Sequence, residues 1–455
     1  MKLQYIAIAL VALLLTSCND FLDIRPTGKV IAQTGEEYRA LLTYVYDHIP
    51  EDRGLTTLRS DEMAADASTL TGYDYDSYFD IWNWTDYNRN PTSLYFGWRR
   101  YYHTCYIANY VIEHQSEITD ATDAEIKQLV GESYMLRAYM HFLLVNLYAP
   151  AYTNCEPETT RGIPLQLKAD VNAILRCSSV AKVYKQILDD IETAEDYMNV
   201  EKWEKGYSYR FSKNTVSALR ARVALYMGNW QLAFDEAENV LDLYPDLQDL
   251  SSSTTTIKPI NYESVESIMA LEQVITTNIS ALGYVNPELL SMYRTGDQRK
   301  STYFRAETIK KWVLRKEKDN FDKERCTFRT GEFYLIAAEA ANELGETADA
   351  LKYIKALMQK RYKPNNYTTY SAALDGLDQD ALRVEIAAER QREMAYQGHR
   401  WFDLRRTTQP EIIKVYTLAD KTEETYTLEQ SDERYTLRFP QEAVEANPEL
   451  EIWNN

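Results

Sequence analysis

Apolar side chains recur at helical spacing in separate blocks along this chain. Between Leu129 and Tyr148 the clearest stripe follows steps of four, three and four residues. Further apolar residues on either side widen that stripe, so this helix is predicted to be buried over much of its circumference. The stripe consists of Leu136, Met140, Leu143 and Leu147.

Two later blocks predict helical hairpins. The first runs from Val216 to Leu241 with Gly228 at its turn, and the second runs from Phe333 to Leu357 around Gly345. Each spacing resembles a tetratricopeptide unit, but the two hairpins lie too far apart for a tandem repeat of about 34 residues. We therefore predict a mainly α-helical fold, with tetratricopeptide-like hairpins as a scaffold, long loop-rich insertions and a few short strands.

The stretches between the helical blocks are predicted insertions, and binding sites commonly lie in such segments. A short strand is predicted at Ser267 to Leu271, because an apolar run there follows a polar loop. Ligand binding is expected mainly in the insertions at about 48–100 and 245–330. The predicted insertions are residues 48–100, 149–179, 245–330 and 405–450.

The amino terminus predicts export. Lys2 precedes an uninterrupted apolar run from Ile6 to Leu15, which is typical of a secretory signal and too short to cross a bilayer. The run ends in Leu15-Thr16-Ser17-Cys18, which resembles the lipobox of bacterial lipoproteins. Residues 1–17 are then a signal peptide and Cys18 is the lipid attachment site, and an ordinary signal peptide with an accidental cysteine is the alternative.

Composition narrows the choice of partner. The formal charge of −19 disfavours nucleic acid and anionic membrane surfaces as ligands. Four further cysteines have no zinc or redox spacing, and the sequence does not decide between disulfides and buried thiols. These cysteines are Cys105, Cys155, Cys177 and Cys326.

Several blocks resemble the SusD/RagB family of surface lipoproteins from Bacteroidetes, over nearly the whole chain after Cys18. The most specific block runs from Glu389 to Arg405 and contains Gly398-His399-Arg400-Trp401-Phe402-Asp403-Leu404-Arg405. Other matching blocks are Phe21-Leu22-Asp23, Trp98 to Asn109, Leu136-Arg137-Ala138-Tyr139, Ala221 to Ala233, Gly296-Asp297 with Arg299, and Phe439-Pro440. Cys105 departs from the family pattern, which has an aliphatic residue there.

The resemblance implies a SusD-like domain over residues 18–455 and four tetratricopeptide-like helix pairs. It also implies a non-catalytic protein that binds an oligosaccharide or another nutrient. The partner would be a SusC-like TonB-dependent transporter, and the protein would be lipid-anchored in the outer membrane, facing the cell exterior. No cofactor or metal is expected.

Aromatic residues are concentrated in one window of the first insertion. From Tyr73 to Tyr106, 13 of 34 residues are Phe, Trp or Tyr. An exposed aromatic ring can stack on the apolar face of a sugar while neighbouring polar groups bond its hydroxyls. The residues predicted to bind ligand in this window are Trp82, Trp84 and Tyr87 as platforms, and Asp74, Asn88 and Arg89 as hydrogen-bonding partners.

A second candidate cluster lies in the third insertion, next to Gly296-Asp297. Tyr293, Arg294 and Tyr303 are predicted ligand contacts there, although the same residues could hold a tight loop together. The aromatic residues of both clusters could instead pack the insertions onto the scaffold.

The sequence is also compatible with two alternative functions. Glu389 and Glu393 lie one helical turn apart, a spacing compatible with the carboxylate pair of a retaining glycosidase. Nearby arginines make ion pairing the better interpretation, because ion pairs lower a carboxyl pKa. His141 and His399 are interpreted as packed residues. A tetratricopeptide-type protein-binding adaptor is the other alternative.

Overall fold

The computed structural model describes residues 32–86, 96–252, 257–316 and 321–451, and most of these residues are helical. The signal segment and Cys18 lie outside the described residues. The helices are α1 Gly35–Asp47, α2 Asp52–Arg59, α3 Tyr73–Trp82, α4 Arg99–Glu113, α5 Asp123–Tyr148, α6 Val180–Tyr197, α7 Asn214–Met227, α8 Trp230–Leu243, α9 Thr277–Ala281, α10 Pro287–Met292, α11 Arg299–Tyr303, α12 Thr330–Glu343, α13 Thr347–Gln359, α14 Pro364–Leu374, α15 Gln379–Glu393, α16 Arg400–Arg406 and α17 Gln441–Ala446.

The strands are short and form antiparallel pairs. β1 pairs with β5, β2 with β3, β4 with β8, β6 with β7, and β9 with β10. The strands are β1 Met63–Ala64, β2 Arg161–Pro164, β3 Cys177–Ser179, β4 Ser267–Met269, β5 Tyr284–Val285, β6 Phe304–Ala306, β7 Trp312–Leu314, β8 Phe328–Arg329, β9 Ile412–Thr417 and β10 Glu423–Leu428. The strand predicted at Ser267 to Leu271 is thus present as the shorter β4.

Helix α5 is the central helix of the scaffold. It begins at a capping box in which the Thr122 side chain accepts from the Glu125 backbone N–H, and the Glu125 side chain accepts from the Thr122 N–H. This reciprocal pair satisfies two donors that a helix start leaves without partners. From Gln128 onward nearly every side chain is buried, because α4 and α6 both pack against the helix. The predicted burial is confirmed.

Both predicted helical hairpins are present, as α7–α8 and α12–α13. Gly228 and Gly345 lie at their turns with φ values of +68° and +81°, a left-handed backbone that glycine adopts without steric cost. The α12 helix also packs against α8 and α15, so the second hairpin lies against the first. One continuous hydrophobic core includes residues from Ala32 to Leu437.

The insertions are held together by backbone pairing. Met63 of β1 lies opposite Val285 of β5, which joins the insertion at 48–100 to the one at 245–330. The Ala67 N–H donates to the Thr417 carbonyl oxygen at 3.0 Å, which joins the first insertion to the carboxyl-terminal one. Within the described ranges, none of the helices combines the length and the apolar character that a membrane span requires.

Candidate functional site

The tryptophans of the aromatic window are buried. Trp82 and Trp84 are both 0% exposed. The Trp82 indole N–H donates to the Met63 carbonyl oxygen at 3.2 Å, and that of Trp84 donates to the Arg59 carbonyl oxygen at 2.8 Å. The prediction that these two side chains are exposed stacking platforms is wrong, because their rings and polar atoms are already occupied by the protein.

Lys414 explains how this part of the window is closed. It extends from β9, and its Nζ lies 5.2 Å from the Trp82 ring centroid and 4.3 Å from that of Trp84. The same ammonium donates to the backbone carbonyls of Leu58 and Trp82. Burial lowers the pKa of Lys414 well below its ordinary value. The carboxyl-terminal hairpin therefore covers both tryptophans and makes them part of the core.

Of the polar residues predicted beside those tryptophans, Asp74 is the one that lies in the described part of the chain. Asp74 lies half-buried in the first turn of α3. Tyr87, Asn88 and Arg89 lie outside the described residues. The structure therefore does not bring Asp74 together with the two tryptophans as one open site.

The second predicted cluster is also mostly internal. Tyr293 and Tyr303 are 6% and 3% exposed, and the Tyr293 hydroxyl donates to the Arg392 carbonyl oxygen at 2.9 Å. Neither ring presents a face to solvent, so both tyrosines pack the insertion in this structure, and ligand contact there stays a prediction. Arg294 is partly exposed, and its Nη2 lies 2.6 Å from Oε2 of Glu385.

Glu389 and Glu393, whose spacing is compatible with a glycosidase pair, are ion-paired in the core. Both have fully buried side chains. The Glu393 carboxylate accepts hydrogen bonds from Arg299, Arg329 and Arg361, and Glu389 accepts from Arg392. Burial favours the neutral carboxyl groups, but the guanidinium groups outweigh it and hold the pKa of Glu389 and Glu393 below the usual value. The expectation of ion pairing is confirmed, and a raised pKa suited to a general acid is absent at both residues.

The two histidines that the sequence predicts to be packed are buried in the structure. His141 is fully buried, and burial lowers its pKa to about 3. His399 is buried beside Arg53, with its Nε2 3.1 Å from Nη2 of that arginine. The four cysteines after the signal segment are free thiols, and Cys105 lies in the apolar core.

An open cavity of about 460 Å³ lies beside the buried window, and three predicted insertions converge on it. Asp86 and Phe96 belong to the first insertion, Arg161 to the second, and Thr436 with Phe439 to the last. Its volume lies within the range of about 300–1,000 Å³ that small-molecule sites occupy. Among the described residues, the insertion at 245–330, where binding was predicted, contributes no lining residue. The described lining residues are Arg59, Asp86, Phe96, Tyr148, Arg161, Glu433, Arg434, Thr436, Leu437, Arg438, Phe439, Pro440 and Gln441.

The apolar part of the cavity is centred on Phe439. This half-buried ring meets Trp98 and Tyr148 at centroid distances of 5.0 and 6.0 Å. The Tyr148 hydroxyl donates to the carbonyl oxygens of Phe96 and Gly97, so it holds the end of α5 against the start of α4. The aromatic surface that reaches the cavity therefore stands on a rigid support.

The charged part of the cavity has two closed ion pairs. The Arg59 guanidinium donates to both carboxylate oxygens of Asp86 at 2.6 Å. Arg434 forms a two-point pair with Asp432 at 2.9 and 2.6 Å. Two-point pairing fixes both partners in orientation, so Arg59, Asp86 and Arg434 form a preorganised polar wall, and Asp432 supports Arg434 from outside the lining.

The remaining charges are less constrained. Arg438 and Glu433 are both largely exposed, and their closest atoms are 3.3 Å apart. The Arg161 guanidinium lies 4.5 Å from the Phe439 ring centroid. Among the described residues, no carboxylate is within ion-pairing distance of Arg161.

Sequence reasoning missed Arg161, Arg438 and Phe439 as candidate ligand contacts. Phe439 belonged to a block matched to the family, but no local pattern linked it to Arg161, which lies far away in the chain. Convergence of these three residues depends on how the insertions fold over α5. Partly exposed aromatic surface, fixed hydrogen-bonding groups and an open volume together suit the binding of a polar ring compound.

Comparison with known proteins identifies relatives over nearly the whole chain. Residues 20–225 match a SusD-like family model described as starch-binding and associating with the outer membrane, and residues 260–454 match the SusD family model. The SusD-like protein P38 of Formosa agariphila is 24% identical, over 86% of this chain and 88% of that protein. A second SusD-like protein of that organism, P2, is 23% identical over 68% and 70%.

Solved structures agree in fold. A SusD superfamily protein from Bacteroides thetaiotaomicron superimposes with a TM-score of 0.73 at 18% identity, covering 93% of this chain and all of that one. A laminarin-binding SusD-like protein gives a TM-score of 0.59 at 18% identity, covering 83% and 92%. The two family models, the curated relatives and the shared fold give one conclusion: this chain belongs to the SusD/RagB family.

Proposed function

We propose that this chain is a non-catalytic glycan-binding lipoprotein that captures an oligosaccharide and delivers it to a TonB-dependent transporter. The observation that carries the proposal is the cavity between Phe96, Arg161 and Phe439, where three insertions meet. Its combination of aromatic surface and fixed polar groups suits a sugar, whose rings have apolar faces and hydroxyl edges. The laminarin-binding relative and the family description as starch-binding support the same class of ligand.

Obstruction of the cavity tests glycan capture. Gln441 is an exposed lining residue in the first turn of α17, and its amide donates to Glu445 at 2.8 Å. In Gln441→Trp the indole occupies the cavity mouth, and calorimetry against a panel of oligosaccharides should show loss of the binding seen with the wild type.

Glu445→Trp is the matched control for this experiment. It breaks the same hydrogen bond and adds the same side chain to the same helix, but Glu445 does not line the cavity. Retained binding in Gln441→Trp, or equal loss in both variants, would contradict a site in this cavity.

The lipid anchor is proposed at Cys18. Two or more acyl chains give durable membrane attachment, because each buried methylene contributes about 0.8 kcal/mol. Cys18→Ser should abolish labelling with radioactive palmitate and release the protein from outer-membrane fractions. Cys155→Ser removes a free cysteine elsewhere in the chain and should leave both properties unchanged. Persistent labelling of Cys18→Ser would contradict the anchor.

Delivery to a transporter is proposed because SusD family proteins work with SusC-type transporters. Tagged protein extracted from its native membrane in mild detergent should co-purify with a TonB-dependent transporter, which mass spectrometry would identify. Purification without such a transporter, from cells that express both proteins, would contradict this part of the proposal.

A further inference from the structure

Arg161 is an unusual arginine in this structure. It begins β2, where it lies opposite Ser179 of β3, and it is half-buried. Its guanidinium contacts the Phe439 ring, and it has neither a hydrogen bond nor an ion pair among the described residues. A guanidinium group carries five N–H donors in a planar fork that matches a carboxylate or a sulfate. The strand and the ring hold this fork at the cavity, and its donors remain available.

Arg438 is a second, more exposed arginine in the same lining. Its side chain is 66% exposed and that of its partner Glu433 is 82% exposed, with a separation of 3.3 Å. Exposed pairs of this kind contribute about 0–1 kcal/mol, so a ligand can displace the glutamate at little cost. The described part of the cavity thus has one guanidinium without a carboxylate partner, and another whose pair with Glu433 is exposed.

The charge of the cavity differs from that of the whole chain. Among the described residues, the lining contains four arginines and two carboxylates, and Asp432 pairs with one of those arginines, Arg434, whereas the chain carries a formal charge of −19. Salt screens charges beyond about 8 Å at physiological ionic strength, so a bound ligand responds mainly to the lining. A neutral sugar would leave Arg161 without an ionic partner, whereas an anionic group would supply one.

We propose that this cavity recognises an anionic saccharide, with Arg161 as the principal contact to a uronate carboxylate or a sulfate ester. The inference rests on the proposed glycan-binding function and specifies its ligand class. Phe439 holds the Arg161 guanidinium in place and adds apolar surface beside it, and Arg438 supplies further positive charge at the cavity. Uronates and sulfated sugars share the anionic oxygens that such a fork recognises.

A glycan array with neutral, uronate-containing and sulfated oligosaccharides tests the proposal on the mature wild-type chain. Anionic glycans should be the ligands retained, and the uronate and sulfate arms identify which anion is preferred. Arg161→Ala should weaken binding of the best ligand by about 10- to 100-fold, the usual consequence of losing a charge-assisted hydrogen bond. Arg161→Lys keeps the positive charge but loses the planar fork of donors, so its affinity should lie between those of the wild type and Arg161→Ala.

Two further variants make the result decisive. Arg438→Ala changes an exposed side chain, so it should fold normally and weaken binding by a few-fold. Arg176→Ala removes a 70% exposed arginine from the same insertion, outside the cavity lining, and should bind like the wild type.

The contrary outcomes distinguish failure of the anionic preference from failure of glycan capture itself. Retention of neutral glycans alone would overturn the anionic preference while glycan capture stands. Unchanged binding of an anionic ligand by Arg161→Ala and Arg438→Ala would also overturn it. Failure to retain any glycan across the array would overturn the proposed function together with this inference.

Discussion

Arg161 at the cavity and the arginines of the core have opposite surroundings. In the core, Arg329 and Arg361 are almost completely buried, and both donate to Glu266 and Glu393. Arg361 also donates to the Gln248 carbonyl oxygen at 2.7 Å, and Arg329 to that of Glu393 at 2.9 Å. The donors of these two arginines are taken up by the protein itself.

In the cavity, Arg161 has an aromatic ring beside it and no acceptor among the described residues. The difference separates two roles that one residue type can have. An arginine whose donors are matched by buried carboxylates holds the fold together, and removal of a partner is costly. An arginine whose donors face an open cavity contributes little to folding and is available to a ligand.

The largest expected effect is on folding, from Glu393→Ala. This change removes the one buried carboxylate that the guanidinium groups of Arg299, Arg329 and Arg361 have in common, and leaves Glu266 to Arg329 and Arg361 alone. Loss of one partner in a buried ion pair costs about 3–5 kcal/mol, so urea denaturation should show a decrease of that size in the free energy of unfolding. The matched removal of a carboxylate in the cavity lining, Glu433→Ala, should change it by less than about 1 kcal/mol. Equal costs for the two variants would refute the distinction.

The next effect concerns Trp84, which changes role from predicted ligand platform to core residue. Trp84→Phe removes the indole N–H that donates to the Arg59 carbonyl and leaves unfilled volume beside Lys414. We expect a loss of about 1–3 kcal/mol in the free energy of unfolding. Under conditions where the variant is folded, calorimetry should give wild-type affinity for the ligand. Impaired ligand binding by a fully stable variant would show that Trp84 contributes to the ligand-binding site.

Glu62 is a buried carboxyl group in the core. Like Arg161, it forms no ion pair with any of the described residues. It is 1% exposed, and burial raises its pKa to about 8. Between the unfolded pKa of about 4.3 and the folded pKa, the unfolded state releases the proton and the folded state keeps it. The contribution of Glu62 to the free energy of unfolding is therefore largest below the unfolded pKa of about 4.3, and it decreases as the pH rises toward 8.

Glu62→Gln should remove that pH dependence. The amide can still accept from the Tyr396 backbone N–H, which donates to Glu62 at 2.7 Å. Thermal unfolding of the two proteins should give similar stability near pH 5, and the variant should be more stable by about 1–2 kcal/mol near pH 6. A constant difference across that range would show that Glu62 is ionised in the folded protein.

The smallest effect is expected from Glu433→Gln in the cavity lining. The change removes the negative charge of Glu433, which competes with a ligand for Arg438 in their exposed pair. Stability should stay within about 0.5 kcal/mol, as is usual at exposed positions. Affinity for an anionic glycan should rise by about two-fold, since exposed pairs are weak. Weaker binding would indicate that Glu433 itself contacts the ligand.

Local sequence features were enough to predict the scaffold. The apolar stripe of α5 and the turn glycines Gly228 and Gly345 depend on neighbours a few residues away, and the structure has each where it was predicted. Ion pairing at Glu393 was also predictable, because arginines crowd that segment. Its actual partners Arg299, Arg329 and Arg361 come from other segments, which proximity in sequence did not reveal.

The candidate site could not be predicted in the same way. Trp82 and Trp84 have the composition of an exposed aromatic site, and only the approach of Lys414 from the carboxyl-terminal hairpin shows that they are internal. Arg161 has no distinguishing sequence context. Its significance depends on an open volume and on the absence of a nearby carboxylate, and both are properties of the folded chain.

The most direct test of the account is a calorimetric titration of wild type, Arg161→Ala and Arg176→Ala with the best glycan from the array, at low and high salt. The wild type and Arg176→Ala should bind equally, and their affinity should fall as salt screens the contact between Arg161 and the ligand anion. Arg161→Ala should bind more weakly at both salt concentrations and show a smaller salt dependence. Equal affinity and equal salt dependence in all three proteins would contradict the claim that the cavity binds its ligand through Arg161.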